Sequence, residues 1–293
     1  MLSPLLENKY RHLRSILSEM GSVCIGYSGG VDSTLLLGVA VDVLGDRALA
    51  VIGRSATYPS REYEEAVSIA EGFHSRFLAV NTDETDILKF RENPPDRCYF
   101  CKTELFSKLQ PIARENGLQW IADGTITDDL GDFRPGMRAK IEQNVRSPLL
   151  DAGFSKADVR ALSKHLGFPT WDKPSFACLS SRFPYGMHIT RENLAKVDDA
   201  ETLLRDYGFR FFRVRFHDER TARIEVGAEE IPRMLDNAIR DQIVDRLKGL
   251  GFTYVTLDLQ GYRTGSMNEV LPAEVKLQHQ ATGVPPEKWR ASR

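Results

Sequence analysis

The chain has 293 residues, 42% of them hydrophobic and 27% charged, which excludes a fibrous or wholly disordered protein and favours two compact units over one short domain. Its 39 Lys and Arg stand against 41 Asp and Glu, so the near-neutral field gives no sign of a nucleic-acid partner such as tRNA. No apolar run reaches membrane-spanning length, and the opening segment carries Leu5, Leu6, Tyr10, Leu13, Ile16 and Leu17 at helix-face spacing, unlike a signal peptide. A cytoplasmic protein with no membrane partner is expected.

After that helix, apolar runs and helical periods alternate. Ser22 to Tyr27 reads as a buried strand, Ser33 to Leu44 as a helix, Ala48 to Gly53 as a strand, Ser60 to Phe73 as a helix and Phe77 to Asn81 as a strand. Tyr99 to Asn116 is helical, stopped by Gly117, and Gln119 to Asp123 is a further strand. The alternation predicts an α/β fold, a doubly wound parallel sheet covered on both faces, with ligands at the carboxyl ends of its strands. Ser155 to His165 opens on a capping box in which Asp158 replaces the usual Glu or Gln. Asp172 to His188 has neither period and is dense in Pro, Ser and Gly, as in a functional loop or a domain junction.

Beyond it, Arg191 to Tyr207 reads as a helix, FFRVRFH and ARIEVG as short strands, Ala228 to Leu250 as one or two helices and Tyr254 to Leu259 as a last strand. This predicts a second, smaller α+β domain with an antiparallel sheet. The expected division is 1–180 for the nucleotide domain, 181–272 for a substrate or oligomerisation domain, and 273–293 for a polar, aperiodic and mobile tail.

The segment YSGGVDS (27–33) lies between a strand and a helix. Gly29 and Gly30 permit close backbone approach, so successive N–H groups and the helix start can cradle phosphate oxygens. Ser28 and Ser33 add hydroxyls, and Asp32 can hold Mg²⁺ between phosphates. The plainer alternative is a Gly-rich turn with Asp32 as a helix cap. No Walker-type lysine follows the loop, which argues against γ-phosphoryl transfer. SGGVDS in this setting resembles the PP-loop of the N-type ATP pyrophosphatases, which implies binding of ATP through its pyrophosphate and attack on its α-phosphate.

Of the four cysteines, Cys24 sits in mid-strand as an apolar filler. Cys98 and Cys101 form a C-x-x-C at a helix start, and Cys178 lies in PSFACLSSR beside Ser180, Ser181 and Arg182. Three thiols are one ligand short of a usual zinc site, whereas a four-iron cluster on three cysteines leaves one iron open. A pair of partly buried or redox-active thiols is the alternative for the C-x-x-C.

YSGGVDS, RCYFCK, GTITDDLGDFRPG, KPSFACLSSRFPYG, FRVRFH and DLQGYRTGSMNE together resemble the LarE family of sulfur transferases, over roughly Leu5 to Leu271. The resemblance implies adenylation of a carboxylate of pyridinium-3,5-biscarboxylic acid mononucleotide, its conversion to a thiocarboxylate in nickel-pincer nucleotide cofactor synthesis, and release of AMP. It implies two versions of the sulfur step: one sacrifices a cysteine, here matched by Cys178, and the other holds a [4Fe-4S] cluster on three cysteines, here matched by Cys98, Cys101 and Cys178. Presence of all three favours the cluster, an external sulfide donor and repeated turnover.

Arg213 and Arg215 alternate along a strand and so share a face, a spacing suited to a phosphate; the resemblance names the substrate's phosphate, and the alternative is a solvated edge-strand pair. Glu201 corresponds to a functional carboxylate of the family or is an ordinary helix glutamate. Arg182 could neutralise the adenylate or hold its loop by a salt bridge. Gly124 and Thr125 at one strand end, and Ser55 at another, are candidate contacts to adenylate and adenosine. Asp128, Asp129 and Asp132 could serve Mg²⁺ or loop order. Expected cofactors are ATP, Mg²⁺ and the [4Fe-4S] cluster; a homo-oligomer is expected. A tRNA-thiolating PP-loop enzyme is the rival reading, and it would want a basic face.

Overall fold

A computed structural model describes residues 2–130, 134–174, 177–263 and 265–278. In chain order its regular elements are α1 (Pro4–Met20), β1 (Val23–Gly26), α2 (Val31–Leu44), β2 (Ala48–Arg54), α3 (Ser60–Gly72), β3 (Arg76–Asn81), α4 (Leu88–Arg91), α5 (Arg97–Glu115), β4 (Trp120–Ala122), α6 (Gly136–Glu142), α7 (Pro148–Asp151) and α8 (Lys156–His165). There follow α9 (Arg191–Asp206), β5 (Phe212–Asp218), β6 (Thr221–Val226), α10 (Ile231–Met234), α11 (Asn237–Gly249), β7 (Tyr254–Leu257) and α12 (Ala273–Gln278). No helix among the described residues is long and apolar enough to cross a membrane.

The chain divides into two compact units, one of Met1–Glu84, Pro95–Ser175 and Ala273–Arg293, the other of Thr85–Pro94 and Phe176–Pro272. In the first unit the strands run β3-β2-β1-β4, all parallel. The side-chain period of two sends alternate residues to opposite faces. Val23 and Ile25 of β1, with Ala48, Ala50 and Ile52 of β2, join a core built with α1, α2 and α8. Cys24, Leu49 and Val51 point the other way, into a core with Phe106 and Leu109 of α5 and Ala139 of α6. Both faces are thus covered, as the alternating pattern predicts.

The capping box of α8 forms: Asp158 N–H donates to Ser155 Oγ at 3.2 Å and Ser155 N–H to Asp158 Oδ2 at 3.0 Å. The turn that begins α2 starts two residues earlier than the pattern suggests, because Val31 and Asp32 already have helical geometry behind the N-cap Gly30. The short helices α6 and α7 lie where no period is visible in the sequence.

In the second unit β5 pairs antiparallel with β6, but β6 pairs parallel with β7, so the sheet is mixed rather than antiparallel as expected. The reason is the connection: α10 and α11 intervene between β6 and β7 and return the chain to the same end of the sheet. Residues 273–278, assigned in the sequence to an aperiodic tail, form α12, while 279–293 lie outside the described residues. Thr85–Pro94 belongs with this unit through backbone bonds, Gly186 N–H to Asn93 O at 3.0 Å and Ile189 N–H to Arg91 O at 2.9 Å.

Candidate functional site

At the carboxyl end of β1 the chain makes the turn Ser28–Gly29–Gly30 and enters α2. Gly29 has φ of +60°, and a Cβ there would stand 2.7 Å from Cβ of Ala66, so both backbone conformation and packing require glycine. Ser28 and Ser33 face each other across the loop with 3.1 Å between hydroxyls, and Ser28 N–H donates to Ser33 Oγ at 3.3 Å. The amides of Val31, Asp32 and Ser33 belong to the first helical turn, which has no intrahelical partner for them. A short strand, a loop and a helix N-terminus of this kind form an anion cradle.

Asp32 does not cap the helix: no side chain caps α2. Its Oδ2 pairs with Lys156 Nζ at 2.5 Å, and its Oδ1 is buried without a hydrogen-bond partner. Burial raises the carboxyl above its ordinary range against the pull of Lys156. An enclosed, unsatisfied carboxylate oxygen beside a phosphate cradle fits a Mg²⁺ ligand.

Gly124 closes the other side. A Cβ on it would lie 2.9 Å from the backbone nitrogen of Ser33, so the turn after β4 touches the start of α2 and tolerates no side chain. That turn is held by Asp123, whose Oδ2 accepts from Thr125 Oγ at 2.7 Å while Ser147 Oγ donates to its Oδ1. Ser147 in turn accepts from Lys140 Nζ at 2.6 Å, and Lys102 stands 3.6 Å from Asp123. Burial pushes Asp123 up, but Lys140, Lys102 and the two hydroxyls outweigh it and keep the carboxyl below the ordinary range. Sequence reasoning missed this network, since a lysine, a serine and an aspartate far apart carry no shared motif. Ser55, at the end of β2, bonds to Thr57 Oγ at 2.8 Å.

Two of the three acids after β4 serve loop order. Asp128 Oδ2 accepts from Lys156 N–H at 2.9 Å, and Asp129 accepts from Ile126 N–H at 3.0 Å and pairs with Arg134 at 2.7 Å. Asp132 lies outside the described residues.

The cysteines form no disulfide. Cys24 is fully buried, and burial pushes its thiol up to about 12, which makes it inert as the sequence suggests. Cys98 and Cys101 are half-buried in the first two turns of α5, and Cys101 Sγ donates to Glu84 Oε1 at 3.5 Å. Cys178 is half-buried in the other unit, just before the 3₁₀ turn Leu179–Arg182. Among the described residues no three of His, Cys, Asp and Glu are gathered as a metal site.

In the second unit Arg182 is buried and forks onto Glu201, Nε to Oε1 at 2.8 Å and Nη2 to Oε2 at 2.7 Å. Its Nη1 donates to the carbonyls of Ala177 at 2.7 Å and Cys178 at 3.1 Å, and to Ser181 Oγ at 2.8 Å. Glu201, also buried, accepts from Val214 N–H at 3.0 Å, so it is no solvated helix glutamate. Arg215 is likewise committed, to Glu225 at 2.9 and 2.6 Å, Ser266 Oγ at 2.9 Å and Ser181 O at 3.1 Å. Arg213 lies over the Tyr262 ring, 5.0 Å from its centre, and burial with the nearby Arg182 lowers its guanidinium to about 10. Neither arginine belongs to a solvated edge pair.

The chain matches the family model described as NAD synthase over residues 5–104. It is 41% identical to the pyridinium-3,5-bisthiocarboxylic acid mononucleotide synthase of Lactiplantibacillus plantarum, covering 91% of this chain and 96% of that one. An uncharacterised protein of Synechocystis is 44% identical over 91% of this chain and 99% of its own. A glutamine-hydrolysing GMP synthase of Chlamydia caviae is 27% identical over 54% of this chain and 34% of its own.

Proposed function

Because this chain belongs to the pyridinium-3,5-bisthiocarboxylic acid mononucleotide synthase family, among the PP-loop enzymes, we propose that it is an ATP-dependent sulfur transferase of nickel-pincer nucleotide cofactor synthesis. Its substrate in this reading is pyridinium-3,5-biscarboxylic acid mononucleotide. The observation that carries the proposal is the cradle Ser28–Ser33, closed by Gly124 and furnished with the unsatisfied Asp32 oxygen.

A substrate carboxylate oxygen attacks the α-phosphorus of ATP, and the bond to the β-phosphate breaks as pyrophosphate leaves with the electron pair. Sulfur then adds to the acyl carbon and AMP departs, so one difficult substitution becomes two easier ones. Ser28, Gly29, Gly30 and Ser33 hold the departing pyrophosphate; Gly124, Thr125 and Ser55 receive the adenylate. Mg²⁺ on Asp32 would neutralise phosphate charge. Around β5 the guanidinium groups of Arg182, Arg213, Arg215 and Arg223 outnumber the carboxylates of Glu201, Glu225 and Asp258, Glu225 being shared by Arg215 and Arg223. The surplus positive charge suits the substrate's phosphate, with Arg213 and Arg215 nearest to that role and the second unit as substrate and oligomer domain. Arg182 and Glu201 keep the Cys178 segment in place.

For the sulfur, Cys98, Cys101 and Cys178 are thiolate donors of the kind that hold a [4Fe-4S] cluster, which would supply sulfide when bound. The competing route, sacrifice of the Cys178 sulfur, uses one thiol alone. The test is incubation of anaerobically prepared protein, reconstituted with iron and sulfide, with ATP, Mg²⁺, the biscarboxylate mononucleotide and sodium sulfide as the sulfur source. AMP and thiocarboxylate are expected, with several products per chain and acid-labile sulfide in the protein. Absence of AMP sinks the reading. Loss of the elements of H₂S from Cys178 after one product, with Cys98→Ala fully active, would replace the cluster by the sacrificial route.

A further inference from the structure

We propose that Tyr58 and Lys173 are positioning residues that set the peptide orientation of the phosphate loop, Tyr58 through the carbonyl of Ser28 and Lys173 through the carbonyl of Gly29. The inference deepens the nucleotide reading and rests on it.

In a trans peptide the carbonyl and the following N–H point in opposite directions. Whatever anchors the oxygen therefore aims the amide. Tyr58 Oη donates to Ser28 O at 2.8 Å, its contact with Glu62 O being the longer one at 3.2 Å. Lys173 Nζ donates to Gly29 O at 3.3 Å. Both oxygens are held from outside the loop, so the amides of Gly29 and Gly30 are turned to the opposite side.

The anchors are themselves fixed. Lys173 Nζ also forms ion pairs with Glu62 at 2.8 Å and Glu65 at 3.0 Å, both on α3, so the ammonium stands between two carboxylates. An ammonium neutralised by two carboxylates and seated against a carbonyl is a brace, not a phosphate ligand. The turn bearing Lys173 is pinned by Arg160, which donates to the carbonyls of Trp171 at 2.8 Å and Lys173 at 2.7 Å. Burial raises the Tyr58 phenol well above its ordinary value, with Glu62 adding to the effect, so it stays a donor. Ala66, which meets Gly29, comes from the same helix as Glu62 and Glu65. The loop thus leans on α3 by packing and on two donors by hydrogen bonds.

The test is binding of inorganic pyrophosphate, Mg·ATP and AMP to the full chain and to Tyr58→Phe, Lys173→Met and Lys173→Arg. Tyr58→Phe is expected to weaken pyrophosphate and ATP binding about five- to tenfold, the worth of one hydrogen bond, and to leave AMP unchanged. Lys173→Met should do the same, with partial recovery in Lys173→Arg. Should the lysine variants fail to fold, Tyr58→Phe, which alters no charge, decides alone. Unchanged pyrophosphate affinity in Tyr58→Phe overturns the proposal, and so does a parallel loss of AMP, which general loosening would cause. A wild-type chain that binds no pyrophosphate fails the nucleotide reading itself, and this inference with it.

Discussion

Arg182 directs all three of its side-chain nitrogens into its own unit, to a carboxylate, a hydroxyl and two carbonyls of the segment bearing Cys178. Burial would penalise the guanidinium, but Glu201 more than offsets this and keeps Arg182 above its ordinary range. Removing one member of so enclosed a pair strands the other charge, at a cost of about 3–5 kcal/mol. Arg182→Ala is therefore expected to lower the urea midpoint strongly, whereas the joint replacement Arg182→Met with Glu201→Leu should recover most of the loss. If the single variant matches wild type in denaturation, the brace role is wrong. That Arg182 and Glu201 matter could be inferred from family resemblance. Their partnership could not, because nothing in a loop arginine and a helix glutamate 19 residues on marks them as a pair.

The contact between the turn after β4 and the start of α2 decides whether the phosphate loop closes. Gly124 sits where a methyl group would meet backbone, and backbone cannot rotate aside as a long side chain can. Gly124→Ala is expected to cost about 1–3 kcal/mol by overpacking and to weaken ATP binding by a similar free energy, read by calorimetry and nucleotide titration. Ordinary ATP affinity in a folded Gly124→Ala protein would show that the close approach does not matter. The strands on either side were visible in the sequence as apolar runs bounded by turns, since a doubly covered strand must be apolar on both sides. The direction of β7 was not, because a hydrophobic pattern reads the same in a parallel or an antiparallel partner. Helices of four to seven residues, α6 and α7, were missed for a related reason: they complete too few turns to display a period.

Each unit encloses a carboxylate that is ionised only because of its neighbours. Burial pushes Asp123 and Glu201 up; Lys140 and Lys102 in one case and Arg182 in the other bring both below the ordinary range. The unfolded carboxyls keep values of about 4, above the folded ones. The stability these pairs contribute is therefore complete above that pH and is lost as pH falls through the folded values. Urea denaturation followed downward from about pH 6 should show falling stability on the acid side in the wild-type chain. Asp123→Asn should be weaker at neutral pH, with Lys140 left unpaired, and less steep in acid. An acid limb identical to wild type would remove Asp123 from this account.

Covalent order and residue type were enough to locate the phosphate loop, the doubly wound sheet and the inert Cys24, because a strand-loop-helix is local and burial follows the side-chain period. Whether a polar group is satisfied depends instead on residues distant in sequence. Lys156 on Asp32, Lys140 and Ser147 on Asp123, Lys173 on Gly29, Glu225 on Arg215 and the inclusion of Thr85–Pro94 in the second unit all follow from folding. A buried charge or carbonyl must be paired, but composition does not say with what; only packing in three dimensions selects the partner.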